Sequence, residues 1–306
     1  MNSAAITGLP APPAALSGWP WTIGSAPLPD VMPDGSAWPI ITIVTPSFNQ
    51  ASYLEHTIRS VLLQGYPRLE LIVIDGGSAD HSSQVIDRYT AWIAHAVSEA
   101  DGGPADALNK GFAAASGDIF AFLNADDFYL PGCFEKVALA FQAHPDAGVV
   151  CGHGYFANER GELGAAGFSD RWNADRFRHG ACVLFQPATF FRRSWYEHAG
   201  GFKSSRSTWD MQLWADMALA GARFHTLDEY LAAFRLHAGS ITGAIRSRQQ
   251  RVDDAQIVLD SIRGRPAITA DRARAFWYRV QRFVRHPIRS LRQRLYFHTT
   301  LGRWSL

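Results

Sequence analysis

The sequence predicts an α/β protein with one mainly parallel sheet flanked by helices. Short β-branched or aliphatic runs alternate with segments whose apolar residues recur at helical spacing. Each of those runs stops abruptly in polar or acidic residues. Hydrophobic residues make up 47% of the 306 and charged residues 19%, enough for a large core and incompatible with a disordered chain. Strands separated by helices imply right-handed crossovers. In such sheets ligands collect at the carboxyl ends of the strands.

The elements follow in order. Residues 1–38 hold seven of the 16 prolines and read as an irregular arm, with Trp19, Trp21 and Trp38 expected to pack onto the body. Ile40-Ile41-Thr42-Ile43-Val44 is a buried strand stopped by Thr45-Pro46-Ser47. Tyr53, Leu54, Ile58, Val61 and Leu62 form a helical stripe that Gly65 and Pro67 end. A second strand, Leu69 to Ile74, runs into Asp75-Gly76-Gly77-Ser78, and a helix through Val85, Ile86 and Tyr89 follows. A third strand is expected at residues 95–98, a helix at 105–115, and a fourth strand at 119–123 that stops at Asn124-Ala125-Asp126-Asp127.

The strand ends hold the chemistry. Two adjacent carboxylates repel unless a cation joins them, and Mg²⁺ or Mn²⁺ is held by one or two such oxygens plus a substrate's phosphates. The same acids also suit a helix N-cap. Asp75-Gly76-Gly77-Ser78 fits either a tight turn or a carboxylate accepting from a base N–H, with glycines admitting a ligand to the backbone. Neither GxGxxG after the first strand nor GxxxxGK[ST] is present, which excludes a dinucleotide-binding dehydrogenase and a P-loop nucleotidase.

Taken in order, Thr45-Pro46-Ser47-Phe48-Asn49-Gln50, Asp75-Gly76-Gly77-Ser78-Ala79-Asp80, the run from Ser98 through Asp101, Asn109 and Lys110 to Gly111, and Asn124-Ala125-Asp126-Asp127 resemble family 2 of the glycosyltransferases. The resemblance covers roughly residues 39–243. It implies a Rossmann-like GT-A fold, an inverting mechanism and a nucleotide-diphospho-sugar donor. Thr45, Pro46, Phe48 and Asn49 would line the nucleotide pocket. Asp75, with Gly76, would bind the base, uracil or thymine, making the donor a UDP- or dTDP-sugar. Asp101, Asn109 and Lys110 would lie along the nucleotide and sugar, Asp126 near the ribose, and Asp127 on the metal, Mn²⁺ or Mg²⁺. His237, in Arg235-Leu236-His237-Ala238-Gly239-Ser240, would reach the diphosphate or the metal. Asp210 stands where the family places its catalytic base, with Trp209 in place of a first acid and expected to hold an acceptor sugar. The acceptor would be a saccharide or a lipid-linked one, in surface polysaccharide or glycolipid assembly.

These readings divide the chain into an arm (1–38), a glycosyltransferase domain (39–245, with the nucleotide-sugar half at 39–130 and the acceptor half at 131–245) and a basic helical region (246–306). A hexosyl or deoxyhexosyl transferase is expected. A nucleotidyl or sugar-phosphate transferase and a non-catalytic nucleotide-sugar binder are the rivals. The formal charge of +1 hides an asymmetry: Arg246 to Leu306 carries 14 Arg, no Lys and four Asp, net +10. Apolar residues 276, 277, 280, 283 and 284, then 288, 291 and 295, recur at helical spacing among arginines. A basic amphipathic helix of this kind suits either an anionic membrane surface or packing on the catalytic domain with a solvated basic face. No nucleic-acid-binding module is recognisable. Three cysteines without CxxC spacing suit a reducing compartment, and no Lys or Arg precedes Arg59 to start a secretory signal. The expected location is the cytoplasm, at the inner face of a membrane.

Overall fold

Every residue of β1 (Ile41–Ser47) is buried, because its run is apolar or β-branched on both faces. In the computed structural model, which describes residues 8–203, 208–240, 247–285 and 287–301, β1 lies inside the sheet. It pairs in parallel with β2 (Leu69–Asp75) and with β4 (Ile119–Phe122), and β3 (His95–Ser98) lies parallel beside β2. Alternation along the strands divides the core. Ile41, Ile43 and Val73 face α1 (Ala51–Leu62) and α2 (Ser82–Tyr89). Val44, Ile72 and Ile74 face α3 (Pro104–Ala113).

The second half extends the same sheet. β5 (Phe128–Tyr129) follows the Asp126-Asp127 turn, and α4 (Cys133–Ala143), β6 (Ala147–Ala157), β7 (Leu163–Gly167) and α5 (Ala174–Arg178) come next. β8 (Thr189–Arg192), α6 (Arg193–Ala199), α7 (Trp209–Leu219) and β9 (Arg223–Arg235) complete it. The strand order is β3-β2-β1-β4-β8-β6-β9-β5, with β7 on β6. β8 joins β4 antiparallel, whereas β6 and β9 are parallel. The expected parallel arrangement therefore describes the first four strands, and the second half is mixed.

The arm packs on the body as the tryptophans suggested. Trp38 is buried, Trp19 donates Nε1–H to the Tyr129 carbonyl at 2.9 Å, and the buried Arg59 guanidinium donates to the carbonyls of Pro10, Pro20 and Trp21. The basic region forms α8 (Ser247–Arg263), α9 (Thr269–Arg285) and α10 (Pro287–Leu301). The expected boundary at 245/246, His286, and residues 302–306 of the tail lie outside the described residues. Among the described residues no helix is long and apolar enough to cross a membrane.

Candidate functional site

The carboxyl ends of β1, β2, β3 and β4 share one edge, since the four strands are parallel. Asn49 is the described non-glycine residue with positive φ, at 53°, a conformation Asn tolerates. Its backbone N–H donates to Ser78 Oγ at 2.7 Å, and its side-chain Oδ1 accepts from Ala79 N at 2.9 Å. The first two strand-end loops are thereby stitched together. Phe48, between them, is 62% exposed and presents a free aromatic ring at the edge. Thr45 is buried in β1, its hydroxyl without a hydrogen-bond partner, and the Pro46 ring is held in the same fully buried strand.

Asp75 is fully buried and already engaged. It accepts from Ser78 N (2.9 Å), Ser78 Oγ (2.5 Å) and Ser98 Oγ (2.7 Å), leaving room for one further donor among its four lone-pair sites. What is seen of it is the brace of the Gly76–Ser78 turn. Gly76 brings its backbone close to Asp101: a Cβ there would stand 2.9 Å from Asp101 Oδ2. Asp101 takes Gly103 N on Oδ1 at 2.7 Å and is half-buried. Lys110 lies on α3 in ion pairs with Glu99 (3.2 Å) and Asp106 (3.4 Å). Asn109 is a clamp: its amide donates to Phe202 O (2.7 Å), and its oxygen accepts from Phe202 N (2.9 Å) and Tyr196 OH (2.8 Å). It fastens the loop after α6 to α3.

The adjacent acids Asp126 and Asp127 have different partners. β4 ends before them, and β5 after them pairs with β9 (Phe128 with Ala233). This pairing delivers the end of β9 to the turn. Asp127 is buried, accepts Arg235 N on Oδ1 at 2.8 Å, and faces the Asn124 amide at 3.4 Å. Burial, then the neighbouring Asp126 charge, push its carboxyl well above the usual range. Asp126 Oδ2 instead meets His237 Nε2 at 2.9 Å. Asn124 also donates to Gln186 Oε1 at 3.2 Å, tying the turn to the second half.

Arg235 is the residue that sequence reasoning missed. It is buried, donates Nε–H to Asp126 O (2.7 Å) and Nη1–H to Glu159 O (2.7 Å), and lies over the Tyr53 ring at 4.8 Å. Its Nη2 is 3.1 Å from His56 Nδ1. Burial, then the adjacent guanidinium, lower the His56 pKa to about 3, so this imidazole stays neutral and accepts. The only sequence signal was an arginine two residues before the candidate histidine.

α7 starts at Trp209, with Thr208 as its N-cap, so Asp210 is not the cap. Asp210 Oδ1 accepts Met211 N at 2.7 Å, and burial raises its carboxyl above the ordinary range. Trp214, one turn on, packs on Phe122 at the end of β4. Trp209 departs from expectation. It is buried in the core around Leu213 and Trp214, so its ring offers no open face to an acceptor. Asp216 faces elsewhere, paired with Lys203 at 2.7 Å. A polar cavity of about 330 Å³ between β6, β9 and α9, lined by His153, Asp170, Arg171 and Arg282 among others, contains none of the expected site residues.

The edge of four parallel strand ends, closed by an acidic turn and an adjoining mixed sheet, gathers most of the residues expected of the site. The sequence profile of glycosyl transferase family 2 matches residues 42–199, and the chain belongs to that family. An uncharacterized glycosyltransferase of Mycobacterium tuberculosis is 37% identical over 171 residues, 54% of this chain and 63% of that protein. The chain thus spans less than two thirds of that relative's length. Two solved structures share the fold. S. aureus TarS 1-349 in complex with UDP-GlcNAc has a TM-score of 0.59 at 16% identity, covering 77% of this chain and 69% of that one. The mannosyltransferase PcManGT of Pyrobaculum calidifontis, in complex with GDP-Man and Mn²⁺, has a TM-score of 0.58 at 24% identity, covering 76% and 67%.

Proposed function

We propose that the protein is an inverting glycosyltransferase that moves a sugar from a nucleotide-diphosphate donor to an acceptor hydroxyl. The observation that carries the reading is the Asp126–His237 pair, held beside a turn that Arg235 braces through the Asp126 carbonyl. A carboxylate oxygen beside an imidazole nitrogen is a donor set that Mn²⁺ or Mg²⁺ accepts, with the remaining positions left to phosphate oxygens and water. Among the described residues no cluster of three or more His, Cys, Asp or Glu could hold a metal. Asp126, with His237, is therefore the proposed metal-holding residue. Asp127, first expected in that role, is proposed to set the turn. A bound cation would offset charge developing on the departing diphosphate.

The chain's own residues supply the rest. Phe48 offers a ring to the base, and Asp75 shapes the loop that receives it, with one lone-pair site left for a base N–H. Gly76 and Asp101 border the same loop. Asp210 takes the proton from the acceptor hydroxyl as its oxygen attacks the anomeric carbon and the nucleoside diphosphate leaves from the opposite face. Its raised pKa makes it a stronger base than an ordinary carboxylate. UDP- and dTDP-sugars are the proposed donors, and a saccharide or lipid-linked acceptor in surface polysaccharide or glycolipid assembly fits the reading.

The test is a thermal-shift series of UDP-, dTDP- and GDP-sugars with and without Mn²⁺, since a ligand that binds only the folded state raises its stability. Stabilisation by a UDP- or dTDP-sugar that needs Mn²⁺, together with release of free nucleoside diphosphate on turnover, is expected. Release of nucleoside monophosphate or pyrophosphate would overturn the reaction. A preference for GDP-sugars would overturn the pyrimidine assignment alone.

A further inference from the structure

Helix α9 is docked by its polar side. Asp271, Tyr278 and Arg282, spaced seven and four apart on one face, make its contacts with the body. Asp271 meets His179 at 3.4 Å, Tyr278 OH donates to Asp175, and Arg282 reaches Asp170 at 3.4 Å. The apolar arc is turned outward, with Phe276 69% exposed, Trp277 57% and Val284 68%. Helix α10 repeats the arrangement. Phe297 packs on Phe156 and Gln293 donates to Ala166 O, while Ile288, 67% exposed, lines up with Leu291 and Leu295 in solvent.

A helix on a soluble protein normally buries its apolar stripe, and a contiguous exposed one marks a partner. Here the margins say which. Arg272, Arg274, Arg279, Arg292 and Arg294 are exposed beside the stripe, and Arg294 lies 5.7 Å from the Phe283 ring, joining the two helices. No acidic residue occurs after Asp271. The complementary surface is apolar within and anionic at its rim, continuous over two helices. We propose that α9 and α10 seat the protein on an anionic lipid surface, with Phe276, Trp277, Val284, Ile288, Leu291 and Leu295 among the acyl chains and the arginines on the phosphates.

This inference rests on the helices and is independent of the transferase reading. The full chain should co-sediment with vesicles of phosphatidylglycerol and phosphatidylcholine at about 3:7, and not with phosphatidylcholine alone. Phe276→Ser/Trp277→Ser/Val284→Ser should lower the bound fraction about tenfold with an unchanged melting temperature, because those side chains touch little of the fold. Arg279→Gln/Arg292→Gln, a milder surface change, should lose binding and its salt dependence together. A full chain that stays in the supernatant at low ionic strength overturns the proposal. So does a dimer in light scattering that the serine variant dissolves, which would assign the stripe to a second copy of this chain.

Discussion

Burial raises the Asp210 carboxyl, and the Met211 N–H only partly offsets it. The sign of the consequence is definite. A carboxyl that binds its proton more tightly when folded costs stability once it ionises; the cost is full above the folded pKa and absent below the unfolded value. Asp210→Asn should therefore melt higher than the parent at neutral pH, and the gain should vanish as the pH falls towards 3.8, followed by calorimetric melts across that range. The same variant should turn over about 10²–10⁴-fold more slowly with donor affinity intact. Turnover within a few-fold of the parent would remove it from the base role. Asp126 and Asp127 separate in the same way. Asp126→Asn should lose Mn²⁺-dependent nucleotide binding in titration calorimetry with little change in melting, because an amide oxygen can still accept from the His237 ring. If Asp127→Asn alone abolished it, the metal role would return to the buried acid.

Helix α3 approaches the sheet where it has no side chain. A Cβ on Gly111 would lie 2.4 Å from Val44 Cγ1 and 3.3 Å from Ile74 Cγ1, both buried and β-branched. Alanine is better than glycine in a helix by about 1 kcal/mol. Overpacking a core costs about 1–3 kcal/mol, and the overlap here is severe, so packing wins. Gly111→Ala should lower the urea midpoint without changing the slope. Because α3 also carries Asn109, which holds Phe202 ahead of α7, the same variant should weaken catalysis more than donor binding. Arg235 works between elements too, linking β9 to the turn after β4 and to α1 through His56. Arg235→Met removes the guanidinium hydrogen bonds to the Asp126 and Glu159 carbonyls and to His56, and each buried acceptor left unpaired costs about 1–3 kcal/mol, a loss expected in chemical unfolding.

At the scale of the molecule the arm, α1, β5 and β9 meet around His56, whose ring stacks on Phe128 at 4.2 Å and meets Trp21 edge-on. Its pKa falls from 6.5 to about 3 on folding. Between those values the unfolded chain takes a proton that the folded one refuses, so stability declines as the pH drops through that window. His225, lowered by burial and by His144, adds to the same trend. His56→Phe should flatten the decline between pH 6.5 and about 4, before ordinary carboxylates titrate, in melts recorded at each pH. An unchanged slope would place the acid sensitivity elsewhere.

Local pattern was sufficient for the first four strands, the helices between them and the strand-end loops, because period and β-branching are properties of neighbouring residues. It also placed glycine and carboxylate runs at the strand ends, because the loss of apolar character there is itself a local signal. Facing was another matter. Asp126 and Asp127 are indistinguishable until β5 pairs with a strand some hundred residues on. Asn109 reads as a ligand contact until Phe202, 93 residues away, occupies it. Trp209 looked available beside Asp210 and was buried by the sheet it rests on. The tail's stripe was legible as a stripe, but only the docking of Asp271, Tyr278 and Arg282 decided that it points away from the core. The sequence by itself determined which residues are apolar, charged or conformationally free. The tertiary structure decided which of them meet, because those meetings depend on pairings between segments whose separation no local period encodes.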